Sequence, residues 1–296
     1  GYRNFVTKIT NAYKFAEFKS IYPFKNIAEL KPQHIFNQWV IYEFQNLYKA
    51  VQQNHNNYYF HEVANHLYDF TWHTFCDWYI ELSKNLLDSN DYKDETKYTF
   101  HIVFNSLLQL LHPVIPFITE KLWSLNNKDI LMTHQWSYND LIIDHSSVDK
   151  ANDFIDFIEE YRSFEKLFDI KKDDEVLIFS NNSNLQNLLT QNKDVLEFLT
   201  RKKLSLNPLS KGITLPFKKY DFVLETNQID KLKIQNKLSD NQKKLQKEKE
   251  GIDKNLSNSN FTERAPKELI DENQKRQLSI NLELSKIESI LNTLNG

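Results

Sequence analysis

Glycine is nearly missing from this chain of 296 residues, which carries only Gly1, Gly212, Gly251 and Gly296, against a usual share of about 7 %. A P-loop or Rossmann phosphate site needs closely spaced glycines so that the backbone can approach the phosphates. The two nearest, Gly212 and Gly251, are far apart, so both kinds of site are excluded, and the scarcity itself favours helices. Cysteine is scarcer still. The lone Cys76 allows neither an internal disulfide nor a multi-cysteine zinc site and points to a reducing compartment, the cytoplasm. No apolar run reaches the length of a membrane span, and GYRNFVTKIT at the start has no signal-peptide hydrophobic region. The expectation is a soluble protein with no membrane partner. The formal net charge is -3, so any nucleic-acid contact must come from local basic patches and not from a global positive field. Only residues 226–296 are net positive, and weakly.

What the chain does have is helical periodicity. In RNFVTKITNAYKFAEF, Phe5, Ile9, Ala12 and Ala16 fall on one face at steps of four, three and four. Lys8, Asn11 and Phe15 fall on another, which is either a solvated face or a combination of lysine, amide and aromatic suited to a polyanion with exposed bases. Tyr22-Pro23 ends this helix. A second helix is predicted over about 33–53 from Phe36, Val40, Phe44, Leu47 and Val51, a third over about 57–87, and a fourth over 93–111 with Phe100, Phe104, Leu107 and Leu111 on one face. Leu107 to Trp123, LLQLLHPVIPFITEKLW, then reads as two helices meeting at a proline corner. Pro113 is expected to push His112 out of the α region, and Pro116 suits a first helical turn, where its missing N–H costs nothing. Residues 1–148 are therefore expected to form an antiparallel helix bundle, with Trp136 anchoring the connection that follows.

Past about 149–168, another helix, the period changes. EVLIFS, KLSLNP, GITLPF and YDFVLE read as short strands with LQNLLTQNKDVLEFL helical between the first two, a small α+β module over 149–225. Residues 226–296 return to helix. Leu238, Leu245 and Ile252 repeat every seven residues, and Ile280, Leu284, Ile287, Leu291 and Leu294 alternate steps of four and three. SNSNFTERAP separates the two runs, so they should pair as an antiparallel coiled-coil hairpin. The fold class is mainly α: bundle, α+β module and hairpin. Near the hairpin tip the seam turns polar at Asn273 and Gln277, while Lys254, Arg264, Lys267, Lys275 and Arg276 crowd the distal end. Such charges usually form a solvated face, yet a projecting arm with a basic tip also suits a phosphate backbone.

Local chemistry is sparse. In HEVANH, His61 and His66 are five apart, roughly 140° around a helix, and cannot share one metal. Cys76 reads as a small core residue, and His112 and Glu120 as a corner side chain and a solvated one. No catalytic, metal or cofactor set emerges.

With those residues in view, the chain resembles the C-terminal half of a bacterial-type valyl-tRNA synthetase. RNFVTKITNAYKF is similar to that family's RNFxNKxWNAxRF helix, with Thr7, Thr10 and Lys14 where Asn, Trp and Arg are usual. FTWHTFCDWYIE, HPVIPFITEKLW and LSNSNFTERAP resemble its aromatic segment, its proline corner and the turn of its coiled coil. The terminal hairpin discriminates best, because an isoleucyl relative would be expected to end in a cysteine-rich zinc module. The class I catalytic signatures HIGH and KMSKS are absent; in the family they belong to the N-terminal portion, as does the editing domain.

The resemblance implies a monomeric tRNA-recognition segment for valine tRNA that performs no chemistry itself. ATP and magnesium would bind the catalytic domain, which is absent from this chain. Anticodon bases would stack on exposed aromatics of the bundle and meet Lys8, Asn11, Lys14 and Phe15, with Phe36 and Trp39 as further candidates that could instead be packing. The hairpin would reach the tRNA elbow through Lys254 and Arg276. The competing reading is a helical scaffold or adaptor whose coiled-coil hairpin binds another protein's helix.

Overall fold

The computed structural model describes residues 2–24, 31–134, 141–168, 170, 177–178, 180, 182–204, 212–217, 220–225, 231–258, 261 and 265–295. The protein is mainly α-helical and forms two compact units, Gly1–Asp153 and Phe154–Gly296.

The first unit contains α1 (Tyr2–Phe18), α2 (Ile35–Asn56), α3 (Phe60–Asp69), α4 (Ile80–Asp88), α5 (Lys93–Leu111), α6 (Pro116–Ser124) and the start of α7 (His145–Phe168). Between α3 and α4 the chain does not keep α winding as expected: Phe70–Tyr79 is π-helical, and the Ile80 amide donates to the Phe75 carbonyl five residues back. The widened coil sends Phe75 and Tyr79 into the centre, where Phe75 lies 5.1 Å from Phe100 and 5.7 Å from Phe104 between ring centroids. These four rings are buried, and each contributes roughly 1.5–3 kcal/mol by leaving water. The face predicted for α1 is buried as expected at Phe5, Ile9, Ala12 and Ala16, as is the one predicted for α2.

α2, however, is buried on polar positions too. Asn37, Gln38 and Gln45 are all inside, and each finds a distant partner. Asn37 Nδ2 donates to Glu95 Oε1 at 2.7 Å and to Thr96 Oγ1 at 3.0 Å, and the Tyr79 hydroxyl donates to Asn37 Oδ1 at 2.9 Å. Glu95 also accepts from the backbone amides of Gln33 and His34 at 3.0 and 2.9 Å, so a carboxylate from α5 pairs amides just ahead of α2 that have no intrahelical acceptor. Gln45 reaches the Leu141 carbonyl, and Gln38 accepts from the Asp144 amide.

At the proline corner α5 stops at Leu111 as predicted, but His112 stays in the α region at φ -56°, ψ -43°. The break falls at Ile115, the residue before Pro116, with φ -134° and ψ 62°. The restriction imposed by a following proline is thus obeyed at the second proline and tolerated at the first. His112 Nδ1 pairs with Thr119 Oγ1 at 2.9 Å, bracing the corner, and Glu120 is not simply solvated, because Oε1 accepts from the Leu131 amide at 3.1 Å. Trp136 lies outside the described residues.

In the second unit, β1 (Leu177–Ile178) and β2 (Lys203–Leu204) pair in parallel. β3 (Gly212–Phe217) and β4 (Tyr220–Glu225) form an antiparallel hairpin with Gly212 opposite Glu225 and Phe217 opposite Tyr220. The described strands fall where the period changes. The helix expected between the first two is instead two, α8 (Ser183–Gln191) and α9 (Lys193–Thr200), with Asn182 Oδ1 capping the first by accepting from the Asn184 and Leu185 amides. Phe222 of β4 is buried against Phe157, Tyr161 and Phe164 of α7, with its ring stacked 4.5 Å from Phe164.

α10 (Lys231–Ser257) and α11 (Lys267–Asn295) are the two long arms, each about 40 Å long at 1.5 Å per residue. Leu238, Leu245 and Ile252 of α10 and Ile280, Ile287 and Leu294 of α11 are buried as the heptads require, while Leu284 and Leu291 are only half-buried and Ile290 joins the core. Gln277 bonds to Asp253 and Arg276 to Glu248 across the two helices.

Candidate nucleic-acid interface

Burial of one face of α1 leaves Asn11 and Lys14 exposed and Lys8 and Phe15 half-buried on the other. Lys8, Asn11 and Phe15 line a groove of about 460 Å³ with Asn4, Thr7 and Lys84, whose wall is the π-helical stretch and α4. Lys14 is not part of that lining. The groove combines an ammonium, an exposed amide and an aromatic ring, which can hydrogen-bond a base edge and cover a base face.

Lys8 is not a free cation. Its ammonium pairs with Asp77 and sits 4.1 Å above the centroid of Trp72. Trp72 stacks on Tyr68 at 5.6 Å, and Tyr68 on Phe5 at 5.3 Å. A ladder of three rings thus ends in a lysine, with Phe5 buried at one end and Tyr68 43 % exposed in the middle. The cation–π contact and ion pair hold Lys8 beside the groove and share its charge. Phe15 packs 6.0 Å from Phe100, so one face of its ring belongs to the core. Cys76 also lines the groove, and burial pushes its thiol up to about 12, so it is protonated at neutral pH and no nucleophile.

Two expected stacking residues are corrected. Phe36 is fully buried and Trp39 is 5 % exposed, with its indole N–H donating to Asn152 Oδ1 at 2.9 Å. Neither offers a face to a base, because none of residues 35–45 at the start of α2 is exposed. Conversely, Tyr68 and Trp72 belong to the site without a strong sequence signal beyond their spacing of four in YDFTW, which puts two aromatics on one helical face.

On the hairpin, Lys254 is exposed. Arg276 is engaged: Nε and Nη2 donate to the two carboxylate oxygens of Glu248 at 2.7 and 3.0 Å, and Nη1 to Glu283 at 3.1 Å. Those bonds hold the Glu248 carboxyl below its ordinary value and raise the guanidinium further. Arg264 and the side chain of Lys267 lie outside the described residues, whereas Lys275 is exposed. Among the described residues no group of three or more His, Cys, Asp or Glu could hold a metal ion, and no helix is long and apolar enough to cross a membrane.

Two family matches cover much of the chain. Residues 37–178 match the anticodon-binding domain of tRNA ligases, and residues 229–295 the tRNA binding arm of valyl-tRNA synthetases. Among individual proteins, the chain is 33 % identical to the valine–tRNA ligase of Pelagibacter ubique over 97 % of its own length and 34 % of that protein. It is 30 % identical to the enzyme of Buchnera aphidicola (subspecies Schizaphis graminum) over 95 % and 31 %, and 39 % identical to that of Ruegeria pomeroyi over 55 % and 17 %. The chain spans about a third of the length of the first two of these relatives.

Proposed function

This chain belongs to the valine–tRNA ligase family, and we propose that it is the part of such an enzyme that recognises valine tRNA, for ATP-dependent aminoacylation carried out by a catalytic domain elsewhere in the longer polypeptide. Residues 1–148 take the anticodon region, residues 226–296 form the arm that meets the tRNA elbow, and 149–225 join them. The segment contributes no active site. The ligase works as a monomer in the cytoplasm, and ATP and magnesium bind outside this segment.

The observation that carries the reading is the α1 groove. It gathers Lys8, Asn11 and Phe15 beside the exposed Lys14, on a bundle whose sequence from residue 37 matches an anticodon-binding domain. An unstacked anticodon base would lie over the open face of Phe15 while Asn11 and Lys14 meet its edge. On the arm, Lys254 is the phosphate contact, with Arg276 entering when Glu248 releases it. The adaptor reading has no matching observation. A titration of the chain with valine tRNA and with the same tRNA carrying a scrambled anticodon tests the assignment. Tighter binding of the first supports it, and equal affinity for both removes the anticodon role.

A further inference from the structure

We propose that the groove at the base of the hairpin binds the sugar–phosphate backbone of RNA, with Lys166 and Lys244 as the pairing cations. The cavity, about 440 Å³, is formed by α7, α10 and α11 within the second unit. Four lysines from these three helices converge on it: Lys166, Lys237, Lys244 and Lys286. Among the described residues two carboxylates share the lining, Asp240 and Glu283. Glu283 is already turned to the hairpin's own charge, since it accepts from Arg276 Nη1 and Ser279 Oγ, both at 3.1 Å. Ammonium groups gathered in one concave site repel each other and raise the local potential, and a polyanion relieves both effects.

The floor argues for a sugar–phosphate strand over a small free anion. Ile287 and Ile290 are 5 % and 1 % exposed and line the cavity, giving an aliphatic base that suits the C–H face of a ribose while the lysines at the rim meet phosphates. Lys166 and Lys244 are exposed at that rim. Lys244 lies ten residues before Lys254 on the same helix, about 15 Å at 1.5 Å per residue, so this contact is separate from the one at the hairpin tip.

The inference rests on the reading that the chain binds tRNA. The test is a titration of the full chain with valine tRNA over a series of salt concentrations, comparing the unsubstituted protein, Lys166→Ala with Lys244→Ala, and Asp240→Asn. The double variant should bind about ten-fold more weakly, with a slope of log affinity against log salt shallower by roughly 1.5. Asp240→Asn should bind about two-fold more tightly, a gain that no folding defect produces. Unchanged affinity and slope in the double variant, with normal binding by the unsubstituted chain, overturns the groove and leaves the anticodon assignment standing. Weaker binding by the double variant together with indifference to the anticodon supports the groove and removes the other assignment. No tRNA binding by the unsubstituted chain overturns both. Inorganic phosphate competing beyond its ionic strength, with tRNA affinity unaffected by the lysine substitutions, assigns the groove to a free anion and also overturns the proposal.

Discussion

Arg276 of α11 grips Glu248 of α10 in a two-pronged clasp, with Nε and Nη2 each facing one carboxylate oxygen. The two side chains are 40 % and 44 % exposed, so the pair adds little to stability. Its larger effect is on availability, because a guanidinium engaged by two carboxylates must release one before meeting a phosphate. Glu248→Gln should therefore tighten tRNA binding by about two- to five-fold with almost no change in melting temperature. A loss of affinity, or a large drop in melting temperature, would show that the clasp supports the hairpin and not a reserve of charge. The linkage sign agrees with a minor stabilising role: Glu248 is held below its ordinary value, so its contribution is present above that value and fades as pH falls through the lowered one.

On α1, Lys14 and Asn11 are exposed, and their replacement should leave the fold intact. Lys14→Ala is expected to cost about 1–3 kcal/mol in the preference for the valine anticodon, read as the difference in tRNA affinity between the cognate and scrambled loops. An equal loss for both RNAs would make Lys14 a phosphate contact only.

Acid should unfold the bundle for a specific reason. His34 and His101 are half-buried, and desolvation brings each down to about 4. His101 lies 3.7 Å from Phe24, ring on ring, in nearly parallel planes. The unfolded chain takes up protons near pH 6.5 and the folded one resists until about 4, so stability falls as pH drops through that window. Each histidine contributes on the order of 1–3 kcal/mol to that loss. In urea melts between pH 7 and 4, His101→Phe should be less pH-sensitive than the unsubstituted chain, and an unchanged slope would contradict the assignment.

Asn37 is the hub of a buried network, and Asn37→Ala strands the Tyr79 hydroxyl and part of the Glu95 carboxylate. The expected cost is about 2–4 kcal/mol in chemical denaturation. Tyr79→Phe added to it should cost less than the two separate losses combined, since both remove the same bond. Strict additivity would mean the hydroxyl finds another partner.

How much of this was legible in the sequence depended on how far away each cause lay. Leu238, Leu245 and Ile252 announce their seam because a heptad is a local pattern, and α5 runs over the predicted 93–111 because its apolar face repeats within a few turns. Phe36 and Trp39 stay open between stacking and packing in the sequence for the opposite reason. Whether an aromatic on α2 is exposed depends on residues that cover it from far along the chain: Asn152 holds Trp39 from 113 positions away, and the Gln45 anchor at Leu141 is 96 away. Polar residues such as Asn37 and Gln38 read as surface until their partners are known. The groove was half legible. Lys8, Asn11 and Phe15 share a face by simple spacing, but Trp72 and Asp77, which hold Lys8, reach it only after the chain has returned through α3.

The π-helical stretch from Phe70 to Tyr79 acts as a gear between the two halves of that long helix. Two of its turns hold roughly nine residues where α winding holds about seven. Everything downstream is rotated accordingly, including Ile80, Leu82 and Leu86, which face the core only at this setting. Removing one residue from the stretch would turn those three by about 80° away from their present setting while leaving the sequence pattern of α4 untouched. A change of length here therefore acts as a change of angle. It would reach the α1 groove too, because the wall beside Lys8 and Asn11 is cut from the same coil.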